Sequence, residues 1–303
     1  MAGIDELLPN HPMSPQQHVL AHPKSNDDSK EENEYYEGSE YVYLPSRGVF
    51  YNNEFRGLEK IKVRPLDYTD EDILTTRSYY EDGSIFTELL KNTIIDVNKF
   101  KPSNLVAVDR DTILLWLRST SFGNKFEVEY NCPSCKFGDG KKSGPALLIW
   151  KIDELEIPAY SDEVHEELMK DGCITISTPI KKVKVKITSP SIAIQTQLEK
   201  RFQLKKQNEK IKKDFFATTT LLSIVQGVEV SENVWKYGKD EIDAYFKKVK
   251  LPISDSRHIL FEARKLNLKY NTEQNFVCPD CGYIEEGVEM PILHKNFFWP
   301  ESR

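Results

Sequence analysis

Four of the five cysteines in this sequence form two matched pairs, a residue type and spacing typical of a metal site. The pairs are Cys132-Pro-Ser-Cys135 and Cys278-Pro-Asp-Cys281. Two residues between the cysteines allow a tight turn, called a knuckle below, to direct both sulfurs at one ion. Each pair lies between two apolar segments, so the order strand, knuckle, strand occurs twice, as in a zinc ribbon. We therefore predict one structural zinc ion with four cysteine ligands and no open coordination position.

The distance between the two pairs indicates an insertion. The chain has 142 residues between Cys135 and Cys278, whereas the two halves of a ribbon are usually about 15 to 20 residues apart. The entropic cost of closing a loop grows only logarithmically with its length, so this separation is no obstacle. The pattern predicts that zinc joins the first and last parts of the ordered chain around an inserted domain.

Three other interpretations of the cysteines stay open. The pairs could be two independent redox sites, although neither precedes a helix in a βαβ pattern. They could form two separate metal sites completed by other ligands, such as His294, which lies beyond the second pair. They could also be thiols without a ligand. The fifth cysteine, Cys173, alternates with Ile174 and Ile176 in a predicted strand, and we interpret it as a non-ligand.

Catalytic motifs are not recognisable in the sequence. We find no phosphate-binding loop, dinucleotide fingerprint, nucleophile elbow or zinc-protease helix. The six histidines are scattered along the chain. We therefore predict a protein that is not an enzyme.

The elements that must position the cysteines follow from the spacing of apolar residues. A helix with a broad apolar face is predicted from Asp109 to Ser121, ending at Gly123. Strands are predicted on both sides of each knuckle. They cover Lys125 to Tyr130, Ala146 to Ile152, Phe276-Val277 and Tyr283 to Met290.

The remaining predicted elements lie before and between these strands. Asp70 resembles a helix N-cap, and Ser254 is predicted to begin the last helix of the insertion. The predicted strands are Lys60 to Arg64, Cys173 to Thr178 and Lys182 to Thr188, and the helices are Ser84 to Thr93, Ile192 to Lys206, Asp214 to Val225, Lys239 to Val249 and Ser254 to Leu266.

Together these elements predict an α+β protein in which a mixed α/β N-terminal region leads into a split four-cysteine zinc ribbon that brackets a mainly helical insertion. The predicted boundaries are a disordered acidic arm at 1–40, an N-terminal α+β domain at 41–131, the first ribbon half at 132–160, an inserted strand pair and helical domain at 161–274, and the second ribbon half with an aromatic C-terminus at 275–303.

Composition limits the classes of partner. The chain has 41 Lys and Arg against 48 Asp and Glu, a net charge of −7, and so lacks the broad positive field that non-specific nucleic-acid binding uses. No apolar run approaches the ~20 residues that span a bilayer, and the first residues do not resemble a secretory signal. We expect a cytosolic protein that does not bind membrane, and the charge balance disfavours nucleic acid as a partner.

Charged segments have two possible meanings. The acidic stretch 26–40 is either an arm that docks on a partner or a solvated tail, and composition favours the tail. Lys182, Lys184 and Lys186 share one face of a strand, and a second basic run extends from Lys200 to Lys213. Solvated faces explain both better than a nucleic-acid site does.

Two aromatic segments are candidates for partner contacts. One is the loop from Tyr41 to Tyr51, and the other is the C-terminal Phe297-Phe298-Trp299-Pro300. Packing against the core is the expected role of such apolar residues, and anchoring a partner is the alternative. The candidate partner-binding residues are Tyr43, Phe50, Tyr51, Phe297, Phe298 and Trp299.

Several sequence motifs occur together in a distinctive order. They are Leu44-Pro-Ser-Arg-Gly-Val-Phe-Tyr51, Val63-Arg64-Pro65, Asp70-Glu-Asp-Ile-Leu-Thr-Thr76, Asp109-Arg-Asp-Thr-Ile-Leu-Leu-Trp-Leu-Arg118, Ser121-Phe-Gly123, Phe126 with the first cysteine pair, and the second pair with the Phe-Phe-Trp-Pro end. Their order resembles one known family, the baseplate hub proteins of T-even-type contractile-tailed bacteriophages. The resemblance covers residues 41–160 and the C-terminal end.

The resemblance implies a role in virion assembly. The protein would be a non-enzymatic structural component of the central baseplate hub, or an assembly chaperone for it, and residues 41–131 would form a hub-like domain. It would bind other tail or hub proteins, in the host cytoplasm during assembly and in the tail baseplate of the virion. The alternative is a zinc-ribbon nucleic-acid-binding factor in phage transcription or packaging.

Overall fold

The computed structural model describes residues 38–81, 83–95, 100–135, 146–208, 215–292 and 297–298. Most of the predicted acidic arm, His294 and Trp299 lie outside these ranges. Strand pairing begins slightly before the predicted end of the arm, because Glu40 pairs with Val63 in the first antiparallel strand pair.

The N-terminal part combines that strand pair with three short helices. Ile61 and Val63 are buried, as their alternation with lysine predicts. The elements are β1 (Glu40–Tyr43), β2 (Lys60–Val63), α1 (Asp70–Thr75), α2 (Arg77–Glu81) and α3 (Ile85–Thr93). The predicted strand at 60–64 and helix at 84–93 are confirmed.

The predicted N-cap at Asp70 is wrong by one residue. Thr69 precedes the helix, and Asp70 is fully buried within its first turn. Its carboxylate accepts hydrogen bonds from both terminal nitrogens of Arg64, at 2.7 and 3.0 Å, and from the Asn92 amide. The acidic side chain therefore forms a buried ion pair that links β2 to α1, which the local capping pattern could not indicate.

The central helix and the first ribbon strands agree with their predictions. Helix α4 (Ala107–Phe122) buries most of its surface and ends at Gly123, whose φ of 86° lies in the left-handed region. Strands β3 (Lys125–Tyr130) and β4 (Ala146–Lys151) pair antiparallel, from Lys125 opposite Lys151 to Tyr130 opposite Ala146. Short 3₁₀ turns, Pro102–Asn104 and Ile152–Glu154, precede and follow this unit.

In the described residues between 162 and 266, the chain forms five helices and a four-stranded antiparallel sheet in the order β5-β6-β7-β8. Its elements are α5 (Asp162–Asp171), β5 (Ile174–Ser177), β6 (Lys184–Ile187), α6 (Ile192–Asn208), α7 (Phe216–Ile224), β7 (Val225–Ser231), β8 (Val234–Tyr237), α8 (Lys239–Val249) and α9 (Ile253–Leu266). The chain then forms β9 (Gln274–Val277) and β10 (Ile284–Val288), which pair antiparallel.

The hairpin β7–β8 is absent from the sequence prediction. The apolar run at the end of α7 continues into Val225, the first residue of β7, with no glycine or proline before Gly227. A short apolar run of this kind does not by itself separate helix from strand. Besides its hairpin partner β8, β7 pairs with β6, about 40 residues earlier, so the strand also depends on a tertiary contact. The predicted strand pair is thus half of a larger sheet, and the lysine-bearing strand β6 lies between β5 and β7. The last helix also begins one residue early, at Ile253 after Pro252.

Buried apolar residues form two clusters. The first cluster joins residues between 42 and 157 with residues between 268 and 298. The second contains Val49 and residues between 168 and 266. The chain therefore leaves the first core, builds the second, and returns to complete the first. The domain boundaries predicted from sequence stay a prediction.

Candidate metal centre

The four paired cysteines lie together, and their sulfur atoms are all within 4.8 Å of one another. Two contacts cross between the knuckles: Cys132 Sγ lies 3.8 Å from Cys281 Sγ, and Cys135 Sγ lies 3.6 Å from Cys278 Sγ. These distances are far longer than a disulfide bond of about 2.05 Å. The arrangement could hold one metal ion with a sulfur ligand from each cysteine. Cys173 is not part of this group.

Two strand pairs present the knuckles to each other. Cys132 follows β3, and Cys278 follows β9 directly. The rings of Tyr130 on β3 and Phe276 on β9 are 4.7 Å apart, so the two strand pairs are in contact just before their cysteines. Tyr130 and Phe276 thus pack against each other where the two halves of the site meet.

Backbone hydrogen bonds shape the second knuckle. The Cys278 N–H donates to the Tyr283 carbonyl at 2.8 Å, and the Gly282 N–H donates to the Cys278 carbonyl at 3.0 Å. Gly282 has a φ of 71°, a left-handed backbone conformation that residues other than glycine rarely adopt. This closed turn brings Cys281 back towards Cys278.

The thiols differ in exposure and acidity. Cys132 and Cys278 are buried, whereas Cys281 is exposed. The backbone N–H of Cys281 donates to Cys278 and lowers the pKa of that thiol to about 7. Hydrogen bonding to the Cys281 side chain raises the pKa of Cys135 well above its usual range. Four thiolates at these distances would repel one another, so a cation among them is the condition under which all four ionise.

Further contacts hold the two halves together beside the cysteines. The Trp150 indole N–H on β4 donates to the Thr272 carbonyl at 2.8 Å, and the Thr112 hydroxyl on α4 lies 2.9 Å from the Tyr270 hydroxyl. Hydrogen bonding to the Glu285 carboxylate on β10 raises the pKa of Tyr130 to about 12. The knuckles are thus supported by packing and polar contacts between residues more than 100 positions apart.

The candidate partner-binding residues are largely packed into the protein. Tyr51, Phe297 and Phe298 are buried in the first core cluster, and Phe297 lies 5.2 Å from the Phe126 ring. Phe50 is partly buried and makes an edge contact with Tyr160. These positions argue against a direct partner contact for Tyr51, Phe297 and Phe298, since a buried ring is not available to a second protein. Tyr43 is partly exposed at the end of β1.

A buried carboxylate network was not predicted from the sequence. Asp109 on α4 is fully buried and accepts hydrogen bonds from the Ser46 N–H at 2.9 Å, the Ser46 hydroxyl and the Tyr51 hydroxyl. Burial raises the pKa of Asp109 from 3.8 to about 6. Ser46 and Tyr51 lie in one motif that carried the family resemblance, and Asp109 lies in another. No local sequence pattern indicated that these residues would meet.

The comparisons with known proteins agree with that resemblance. A family described as T4 bacteriophage base plate protein matches residues 42–298. The match covers the ribbon halves and also the segment between them, which the motifs noted in the sequence do not reach. Such a match identifies a structural protein of a bacteriophage tail. The chain belongs to this T4-type baseplate family.

Two other comparisons returned nothing. No curated protein and no solved structure matches the chain significantly. In the part of the chain that the structure describes, no helix combines the length and the apolar character needed to cross a bilayer.

Proposed function

We propose that Cys132, Cys135, Cys278 and Cys281 bind one structural zinc ion. The observation that supports this is the distance between the crossing sulfurs, 3.6 and 3.8 Å. A regular tetrahedron of Zn–S bonds of about 2.3 Å has edges of about 3.8 Å. Two buried sulfurs and backbone N–H donors at the second knuckle suit zinc thiolates. With four protein ligands the ion has no open position, so its role is to hold the two ribbon halves together.

Native mass spectrometry tests this assignment directly. Protein purified under reducing conditions should carry one zinc ion per chain, and the fifth cysteine supplies the control. Cys173→Ser should keep the metal, whereas Cys135→Ser should lose it. Wild-type protein without metal, or a Cys135→Ser variant that keeps it, would overturn the proposal.

We further propose that the protein is a non-enzymatic component or assembly chaperone of the central baseplate hub. The family membership supports a structural role in the tail. The hub in particular is suggested by the resemblance of the sequence motifs around Ser46 and Asp109 to baseplate hub proteins. Its partners would be other tail proteins, met in the host cytoplasm during assembly.

Quantitative mass spectrometry of purified virions separates the two roles. A hub component should be present at a fixed number of copies per particle, whereas a chaperone should be found only with assembly intermediates. Copurification with tail proteins from infected cells supports either role. Absence from both virions and tail intermediates would contradict the proposal.

The nucleic-acid-binding alternative has less support. The lysines on β6 are already paired with acids. Lys184 lies 3.2 Å from Glu229 on β7, and Lys186 lies 2.8 Å from Asp171 at the end of α5. A phosphate would have to displace these acids. Salt-dependent retention of the purified protein on DNA would revive the alternative.

A further inference from the structure

A groove between α6 and α7 exposes large apolar side chains to solvent. It has a volume of about 870 Å³ and is lined by side chains of both helices. Phe202 and Phe215 stack at 5.1 Å along it, while Leu204 and Phe216 are 60% and 76% exposed. An exposed apolar groove of this kind marks a binding surface more often than a solvated face.

The rim of the groove is basic. Among the described residues that line it, the charged ones are Lys200, Lys206 and Glu199, and Lys205 lies over the Phe215 ring at 5.5 Å. Neither Lys200 nor Lys206 forms an ion pair with another described residue, although the neighbouring Arg201 pairs with Asp240. The groove therefore suits an occupant that combines carboxylates with aliphatic side chains.

The N-terminal arm of the same chain has this chemistry. Residues 1–37 contain eight acids and two lysines, so they carry six of the seven net negative charges. Near their start, Ile4-Asp5-Glu6-Leu7-Leu8 combines three large aliphatic side chains with two acids. This is the only place in the arm where large aliphatic residues and acids alternate so closely.

We propose that the segment Ile4–Leu8 docks in the α6–α7 groove of its own chain. Its aliphatic side chains would cover Phe202, Leu204 and Phe216, and its carboxylates would face Lys200 and Lys206. Leu8 and Gly38 are separated by 29 residues, and a random coil of that length has a root-mean-square span of about 30 Å. A 303-residue globule has a radius of gyration of about 19 Å, so the segment can reach most of the surface. The tether makes binding intramolecular at an effective concentration near millimolar, so a weak contact is sufficient.

Site-specific cross-linking in the full chain tests this contact. Asn10→p-benzoylphenylalanine puts a photoreactive group beside the segment without altering it, and mass spectrometry then maps the attached peptides. We expect cross-links within one chain to peptides of α6 and α7. Phe216→Asp should lower the yield about tenfold, since a lost apolar anchor costs a factor of that order.

A matched control and a second variant keep the test decisive. Ile253→Asp alters a side chain on α9 that is 74% exposed, close to the 76% of Phe216, and should leave the yield unchanged. The exposed pair Lys200→Glu and Lys206→Glu should lower the yield without affecting the core, and high salt should act in the same direction. Three results would overturn the proposal: a cross-link yield that the groove variants do not change, cross-links spread evenly over the surface, or cross-links between two chains that disappear on dilution.

Discussion

At the scale of single residues, the four cysteines of the candidate metal centre differ in their exposure to solvent. Cys132 and Cys278 lie at the edge of the first core, and Cys281 meets solvent. The buried sulfurs are held by packing on β3 and β9, whereas Cys281 depends on the closed turn that ends at Gly282. Replacing a buried ligand should therefore affect the fold as well as the metal.

Cys278→Ser is expected to release the metal and to lower the free energy of unfolding by several kcal/mol, because binding at a structural site contributes directly to folding. Denaturant titration with and without a chelator measures this. The chelator should remove most of the difference between wild type and variant. Cys173→Ser, which alters a buried thiol away from the cluster, should remain sensitive to the chelator. An equal stability of wild type and Cys278→Ser with metal present would contradict the zinc assignment.

Asp109 predicts a pH dependence of a definite sign. Its pKa is about 6 in the folded protein against 3.8 in an unfolded chain, so the folded state binds the proton more tightly. Stability from this group is fully present below about pH 4 and is lost as pH rises through about 6, by roughly 3 kcal/mol. Asp109→Asn cannot titrate there.

The comparison of wild type with Asp109→Asn isolates this contribution, since other carboxylates are common to both. Unfolding by denaturant at several pH values should show the wild type losing stability relative to the variant between pH 4 and 7. Parallel pH profiles would show that Asp109 is not the source, whatever the constant offset between the two proteins.

At the scale of elements, the loop from Leu44 to Tyr51 connects both cores. Ser46 and Tyr51 bind Asp109 on α4, while Val49 belongs to the second core cluster. Gly48 makes this path possible. Its φ is 68°, and a Cβ atom there would lie 2.4 Å from the Leu58 backbone nitrogen.

Gly48→Ala is therefore expected to cost about 3 kcal/mol or more, since backbone strain and a clash with main-chain atoms act together. Gly83→Ala is the matched control, because Gly83 has a φ of 72° and open space around the missing Cβ. It should cost only the conformational strain, about 1 to 2 kcal/mol. Chemical denaturation of both variants measures the difference, and similar losses would show that the close approach to Leu58 is relieved elsewhere.

At the scale of the whole molecule, the C-terminal residues complete a core begun near the N-terminus. Phe297 is fully buried and contacts Phe126 on β3, the strand that leads to the first knuckle. Phe298 lies 6.3 Å from Phe86 on α3. The same core therefore supports the N-terminal helices and the metal centre.

Phe297→Ala should lower the free energy of unfolding by about 3 to 5 kcal/mol, the usual cost of removing a buried phenylalanine. Phe261→Ala, at a side chain that is 57% exposed, should change it by less than about 1 kcal/mol. Thermal and denaturant unfolding of both proteins provide the test. A loss confined to Phe261→Ala would mean that the C-terminal residues do not pack as the structure indicates.

The sequence alone determined the features that depend on neighbouring residues. Helix α4, its end at Gly123, the alternation in β2 and β3 and the two knuckles all follow from periods of two to four residues and from turn chemistry. The order of motifs was also sufficient to indicate the family. Local patterns carry this information because the side chains that create them contact one another along the chain.

Only the tertiary structure decided which distant groups meet. It pairs β7 with β6, joins Asp109 to Ser46 and Tyr51, and packs Phe297 against Phe126. It also brings the two cysteine pairs, whose meeting the sequence predicted, within 4.8 Å of one another. Each of these results depends on solvent exclusion and on hydrogen bonds made between separate elements. Such interactions leave no periodic pattern in the sequence. The same local sequence is therefore compatible with a capping or a buried aspartate, with the end of a helix or the start of a strand, and with a core aromatic or one that contacts a partner.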